Sequence, residues 1–192
     1  MESTHFLHSK YEPRIFGDMG LAGDISSVIQ PVIEEMSFRS VQISLLEEKN
    51  LLLQIFVERD DGNMTLRDCE ELSQAISPIL DVENIIEGHY RLEVSSPGID
   101  RPMVRKSDFL RWNGHVVACE IVLSSGDKQK LIGKIMGTSE TGFFLEKEKR
   151  GEKDMNELQI AISFDSLLSA RLIVTDELLR ASLNNYGSYA GL

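Results

Sequence analysis

The sequence predicts an α+β chain: an N-terminal α/β sandwich in the order helix–strand–strand–helix–strand, followed by a small β-barrel. Three observations carry this. Two stretches of the first half repeat apolar residues at three- and four-residue spacing, as helices with one buried face do. Three short runs in the same half alternate apolar and polar residues, the period of a half-buried strand. After Pro102 the texture changes to short strands broken by turn residues at close spacing, the signature of a small barrel.

The first helix is read from Leu21, Ile25, Val28, Ile29, Val32, Ile33 and Met36. Asp18 or Asp24 is placed to cap it, and Pro31 is expected to kink or split it. Val41, Ile43 and Leu45, then Leu51, Leu53, Ile55 and Val57, give two strands joined by Glu47-Glu48-Lys49-Asn50. Asp60-Asp61-Gly62-Asn63 ends the second as a turn, without the twelve-residue ligand spacing of a calcium loop. Thr65-Leu66-Arg67-Asp68 resembles a capping box. Leu66, Cys69, Leu72, Ile76 and Ile79 supply the second helix with its buried stripe, and Pro78 marks its end. A strand from Tyr90 to Ser95 closes the unit, with the second helix as its crossover.

Five strands are expected beyond Pro102: His115 to Leu123, Leu131 to Met136, Phe143 to Lys147, Leu158 to Ile162 and Ala170 to Val174. The turns are Asn113-Gly114, Ser124-Ser125-Gly126-Asp127, Gly137-Thr138 and Thr141-Gly142. Phe164-Asp165-Ser166-Leu167 reads as a single helical turn, and a short helix from Thr175 through Leu183 opens the tail. Glu146 to Asp154 reads as a solvated hairpin loop. The expected divisions are a flexible N-terminus (1–16), an acidic α/β domain (17–102), a barrel (103–175) and a tail (176–192).

Charge separates the halves. The chain has 192 residues and a formal net charge of −11. Residues 1–102 hold eight Lys and Arg against 19 Asp and Glu, whereas residues 103–192 hold twelve of each. The whole excess therefore lies in the first half. Such a surface is ill suited to broad contact with phosphates and suits a basic partner, or simply keeps the chain soluble. No apolar run approaches a membrane span, and residues 1–16 contain no apolar core of a signal peptide. Cys69 and Cys119 read as buried free thiols of a reducing cytoplasm.

The most specified stretch is Tyr90-Arg91-Leu92-Glu93-Val94-Ser95-Ser96-Pro97-Gly98-Ile99-Asp100-Arg101-Pro102. Pro97 has no N–H to continue a ladder, and Gly98 tolerates a positive φ. A solvated linker would not need so much defined backbone. This run closely resembles the signature of the bacterial ribosome maturation factor RimP family: a strand, Ser-Ser-Pro-Gly, a hydrophobic residue and Asp-Arg-Pro. The resemblance extends from about Leu21 to Val174. It implies an Sm-like (SH3-like) barrel as the second domain, no catalysis, and assistance to assembly of the small ribosomal subunit. The implied partners are the immature 30S particle and, within it, small-subunit ribosomal protein twelve. The protein is then a cytoplasmic monomer, with an rRNA contact left open.

Other chemistries find little support. Val94-Ser95-Ser96-Pro97-Gly98 lacks the first glycine of a nucleophile elbow, and His5, His8, His89 and His115 show no spacing that pairs them with a serine or carboxylate. Neither cysteine has a metal-ligand neighbour, and no nucleotide-binding glycine motif occurs. No metal or cofactor is expected. Gly17, Gly20 and Gly23 read as a hinge. The alternative function is an Sm-like protein acting on free RNA. Its candidate residues are Arg101, Arg105, Lys106, Arg111, Lys128, Lys130, Lys134, Lys147, Lys149, Arg150 and Lys153, with one of Phe143 and Phe144 facing outward. In the signature, Ser95, Ser96, Pro97, Gly98, Asp100, Arg101 and Pro102 are expected to form either a polar contact edge or a rigid interdomain junction.

Overall fold

The computed structural model describes residues 12–47, 49–61, 64–147 and 159–180. Residues 1–11 of the expected flexible N-terminus 1–16, Glu48, Gly62-Asn63, residues 148–158 with most of the expected loop Glu146 to Asp154, and residues 181–192 of the expected tail lie outside them. So do His5, His8, Lys149, Arg150 and Lys153. The chain packs as two compact units, one centred on residues 17–96 and one on residues 97–192, the latter also taking in Arg14–Phe16.

The first unit follows the order α1 (Leu21–Glu35), β1 (Arg39–Glu47), β2 (Leu51–Glu58), α2 (Leu66–Glu83) and β3 (Tyr90–Ser95). Its sheet has the order β1-β2-β3. β1 and β2 are antiparallel, and β2 and β3 are parallel, with α2 as the crossover that a parallel pair requires. Register places Leu45, Leu53 and Leu92 in one row, and Ile43, Ile55 and Val94 in the next. Ile25, Ile29 and Ile33 of α1 and Leu72, Ile76 and Leu80 of α2 pack into the same core. Their four-residue repeat makes one continuous buried line on each helix.

Three details differ from expectation. Pro31 and Pro78 both lie inside continuous helices, so Pro31 does not split α1 and Pro78 does not end α2. Both are exposed, so water can satisfy the carbonyls left without a donor while the opposite face stays packed. α2 therefore ends at Asn84, in the left-handed region, rather than at Pro78. Neither Asp18 nor Asp24 caps α1; Gly20 holds the N-cap position, and Asp18 Oδ1 instead accepts from the Ile43 amide at 3.2 Å. Leu66 is 89% exposed; it is the first residue of α2, ahead of the buried apolar line that begins at Leu72.

The start of α2 is fixed by polar contacts. Thr65 Oγ1 accepts from the Asp68 amide at 3.2 Å, and Asp68 Oδ2 accepts from the Thr65 amide at 2.8 Å. Arg59 donates to Asp68 Oδ1 at 2.6 Å while its guanidinium lies 4.2 Å from the Phe38 ring centroid.

The second unit contains α3 (Lys106–Arg111), β4 (Val116–Val122), β5 (Lys128–Thr138), β6 (Gly142–Lys147), β7 (Gln159–Ser163), a 3-10 turn (Phe164–Ser166) and β8 (Leu167–Leu172). The five strands and the helical turn fall where the sequence places them, within a few residues at their ends; α3 was not anticipated. The sheet is antiparallel throughout, in the order β7-β6-β5-β4-β8. Among the described residues no ladder joins β7 to β8, so the sheet is not closed into the expected barrel. The free edge of β8 is occupied instead by the signature segment: Pro102 bridges Arg171, the Met103 amide donates to Ala170 O, and the Leu172 amide donates to Arg101 O. The core is aromatic at its centre. Phe109 of α3 stands 4.4 Å from Phe143 and 5.2 Å from Phe164 between ring centroids. Both cysteines are free; Cys119 is buried, whereas Cys69 is half-buried, contrary to expectation. Burial pushes the Cys119 thiol up to about 11. Residues 176–180 begin a helix, with Thr175 Oγ1 accepting from the Leu178 amide.

The α2 cap gives a pH-dependent prediction. The Arg59 hydrogen bond and the Thr65 amide hold the Asp68 carboxyl at about 2, below its ordinary 3.8. A lowered folded-state pKa stabilises fully above about pH 4 and loses that stabilisation as pH falls toward 2. Asp68→Asn should lose about 1–2 kcal/mol near neutrality and approach the wild type near pH 2, in urea unfolding followed across pH.

Candidate functional site

β3 delivers the chain into the signature run. The two units divide between Ser96 and Pro97, so Ser95 and Ser96 go with the first and Pro97 to Pro102 with the second. Pro97 is buried and Gly98 has φ +73°, a conformation that side chains with a Cβ rarely adopt. Ser96, Gly98 and Asp100 are exposed, Ser95 and Ile99 are half-buried, and Pro102 is buried.

The neighbouring charges Asp100 and Arg101 point to different partners. Asp100 stays outside, where Arg171 Nη1 donates to its carbonyl oxygen at 2.6 Å and lies 3.7 Å from its carboxylate. Arg101 turns inward and is 4% exposed. Its Nη2 lies 3.4 Å from Asp108 Oδ1. The other oxygen of Asp108 accepts from the Val104 and Arg105 amides, both at 2.9 Å. One buried carboxylate thus meets a buried guanidinium and also satisfies two amides at the start of α3.

This arrangement alters the expected contact edge. Arg101 cannot reach a partner across an exposed surface, whereas Ser96, Asp100 and Arg171 can. Arg105, another basic candidate, is 2% exposed. Lys106 is exposed and donates to Glu140 O at 2.7 Å. Phe143 is buried and Phe144 is exposed, as alternation requires. Sequence reasoning missed Asp108 and Arg171. Asp108 carried a signal, an acid three residues after Arg105 at a helix start; Arg171 carried none, because its partner is 71 residues away.

Among the described residues no group of three or more His, Cys, Asp and Glu could hold a metal ion. Nor, among the described residues, is any helix long and apolar enough to cross a membrane. Chemically, the run offers fixed backbone and a small polar surface.

Residues 28–100 match the family model of the RimP N-terminal domain. Over that span the chain is similar to the RimP family. The matched span runs from within α1 through β3 and ends at Asp100, so it covers the acidic sheet unit and the first part of the signature. The RimP family is a family of ribosome maturation factors rather than a known family of enzymes.

Gly98 supplies the test of the defined backbone. With φ +73°, Gly98→Ala should destabilise the protein by about 1 kcal/mol and Gly98→Val by about 2 kcal/mol. Thermal unfolding of the two variants measures this; equal stability of all three proteins would show that the loop relaxes without strain.

Proposed function

We propose that this chain is a cytoplasmic, non-catalytic maturation factor of the small ribosomal subunit, binding the immature 30S particle transiently. The RimP N-terminal domain at residues 28–100 is the observation that carries this reading. The mechanism is selective binding. A factor that prefers a near-native intermediate shifts the population toward it by no more than its difference in affinity. It is released once the mature surface no longer offers that preference.

The contact within the particle is small-subunit ribosomal protein twelve, and the charge split supports a division of labour. The acidic first unit attracts a basic protein at long range, which raises the association rate and makes it salt-sensitive. The signature run serves as the junction between the two units, with Ser96, Asp100 and Arg171 as its accessible polar edge. The protein acts as a monomer at one site on the particle.

The test is co-sedimentation of the full-length protein with 30S assembly intermediates, mature 30S subunits and 70S ribosomes. The protein should sediment with the intermediates, bind mature 30S several-fold more weakly and be absent from 70S. Equal binding to all three, or to none, overturns the reading. Raising salt should weaken the interaction chiefly through slower association.

A further inference from the structure

We propose that the outer face of β5 and β6 is a binding site for single-stranded RNA, with Phe144 as its stacking platform. Phe144 is 42% exposed and is the one aromatic residue in the exposed class among the described residues. Its pairing partner on β5 is Gly137, and a Cβ at Gly137 would stand 3.7 Å from the ring. The ring therefore lies against bare backbone on one side and offers its other side to solvent. Met136, in the bulge between Ile135 and Gly137, is 45% exposed beside it, and Ala161 of β7 flanks it on the other side.

The charges on the same face favour a polyanion. β5 carries Lys128, Lys130 and Lys134 and no acid. The cross-strand partners of the last two are Glu120 and Glu146, and Lys134 Nζ also lies 4.0 Å from Glu177. Lys128 and Lys130 are exposed, and neither forms an ion pair among the described residues. From Lys128 to Gly137 the strand covers about 30 Å, the length of several nucleotides of single strand. RNA uses both features at once: a base stacks on the ring while phosphates meet the lysines. A protein docking here would have to cover unpaired lysines, which interface cores avoid. A duplex has no free base face to stack, so unpaired RNA is the ligand.

The inference rests on the proposed function only in taking the RNA to be ribosomal. The test titrates the full-length protein against a fluorescein-labelled ten-nucleotide oligouridylate, read by anisotropy over a range of salt. Phe144→Leu keeps an apolar side chain and should weaken binding about tenfold. The Lys128→Gln/Lys130→Gln double variant should lower the log–log salt slope by about 1.4. Circular dichroism and thermal unfolding of each variant should match the wild type. Absence of saturable binding by the wild type overturns the proposal even where the protein still sediments with the particle. So do variants that bind like the wild type. A Phe144→Leu protein that keeps oligonucleotide binding but loses the particle makes this face a protein surface, which also overturns it.

Discussion

The carboxylate of Asp108 is the contact on which the second unit depends. It is 1% exposed, and burial of a lone carboxylate would be prohibitive without partners. Arg101 and the amides of Val104 and Arg105 are those partners. In meeting them, Asp108 joins the end of the signature to the start of α3. α3 then holds Phe109 against Phe143 and Phe164 at the centre of the core. The same segment lies along β8, where Arg101 O and the Met103 amide extend the sheet's hydrogen bonding by a short stretch. One ionic contact thus connects a loop, a helix and a sheet edge.

This gives the Asp-Arg-Pro part of the signature a physical reason. Arg101 serves the interior, Pro102 sits buried on the edge of β8 and needs no N–H there, and Asp100 remains outside with Arg171. Gly98 supplies the left-handed turn that brings the chain to this edge. The serines lie before the turn and remain half-buried or exposed. A stretch that could be taken for an active-site turn is fixed chiefly by structural demands, and its exposed remainder is small and polar.

Local patterns made much of this legible. The four-residue repeat of Ile25, Ile29 and Ile33 and the alternation of Leu53, Ile55 and Val57 depend only on burial on one side, which sequence records directly. The α2 cap was legible because Thr65 and Asp68 are three residues apart. Pro78 misled because its effect depends on whether its side of the helix faces water. α3 is too short for a period to show. That Asp100 and Arg101 part company could not be read, because their partners, Arg171 and Asp108, are supplied by the fold. The edge of β8 was hidden for a related reason: among the described residues no ladder joins it to β7, and it is lined by a segment far away in sequence.

Native-state hydrogen exchange on Asp108→Ala tests the central role of this carboxylate most directly. The account predicts that the Met103 and Leu172 amides lose much of their protection, because the segment that pairs with β8 is no longer held. Amides of the β1–β2 pair, such as those of Ile43 and Ile55, should keep theirs. Unchanged protection at Met103 and Leu172 would contradict it.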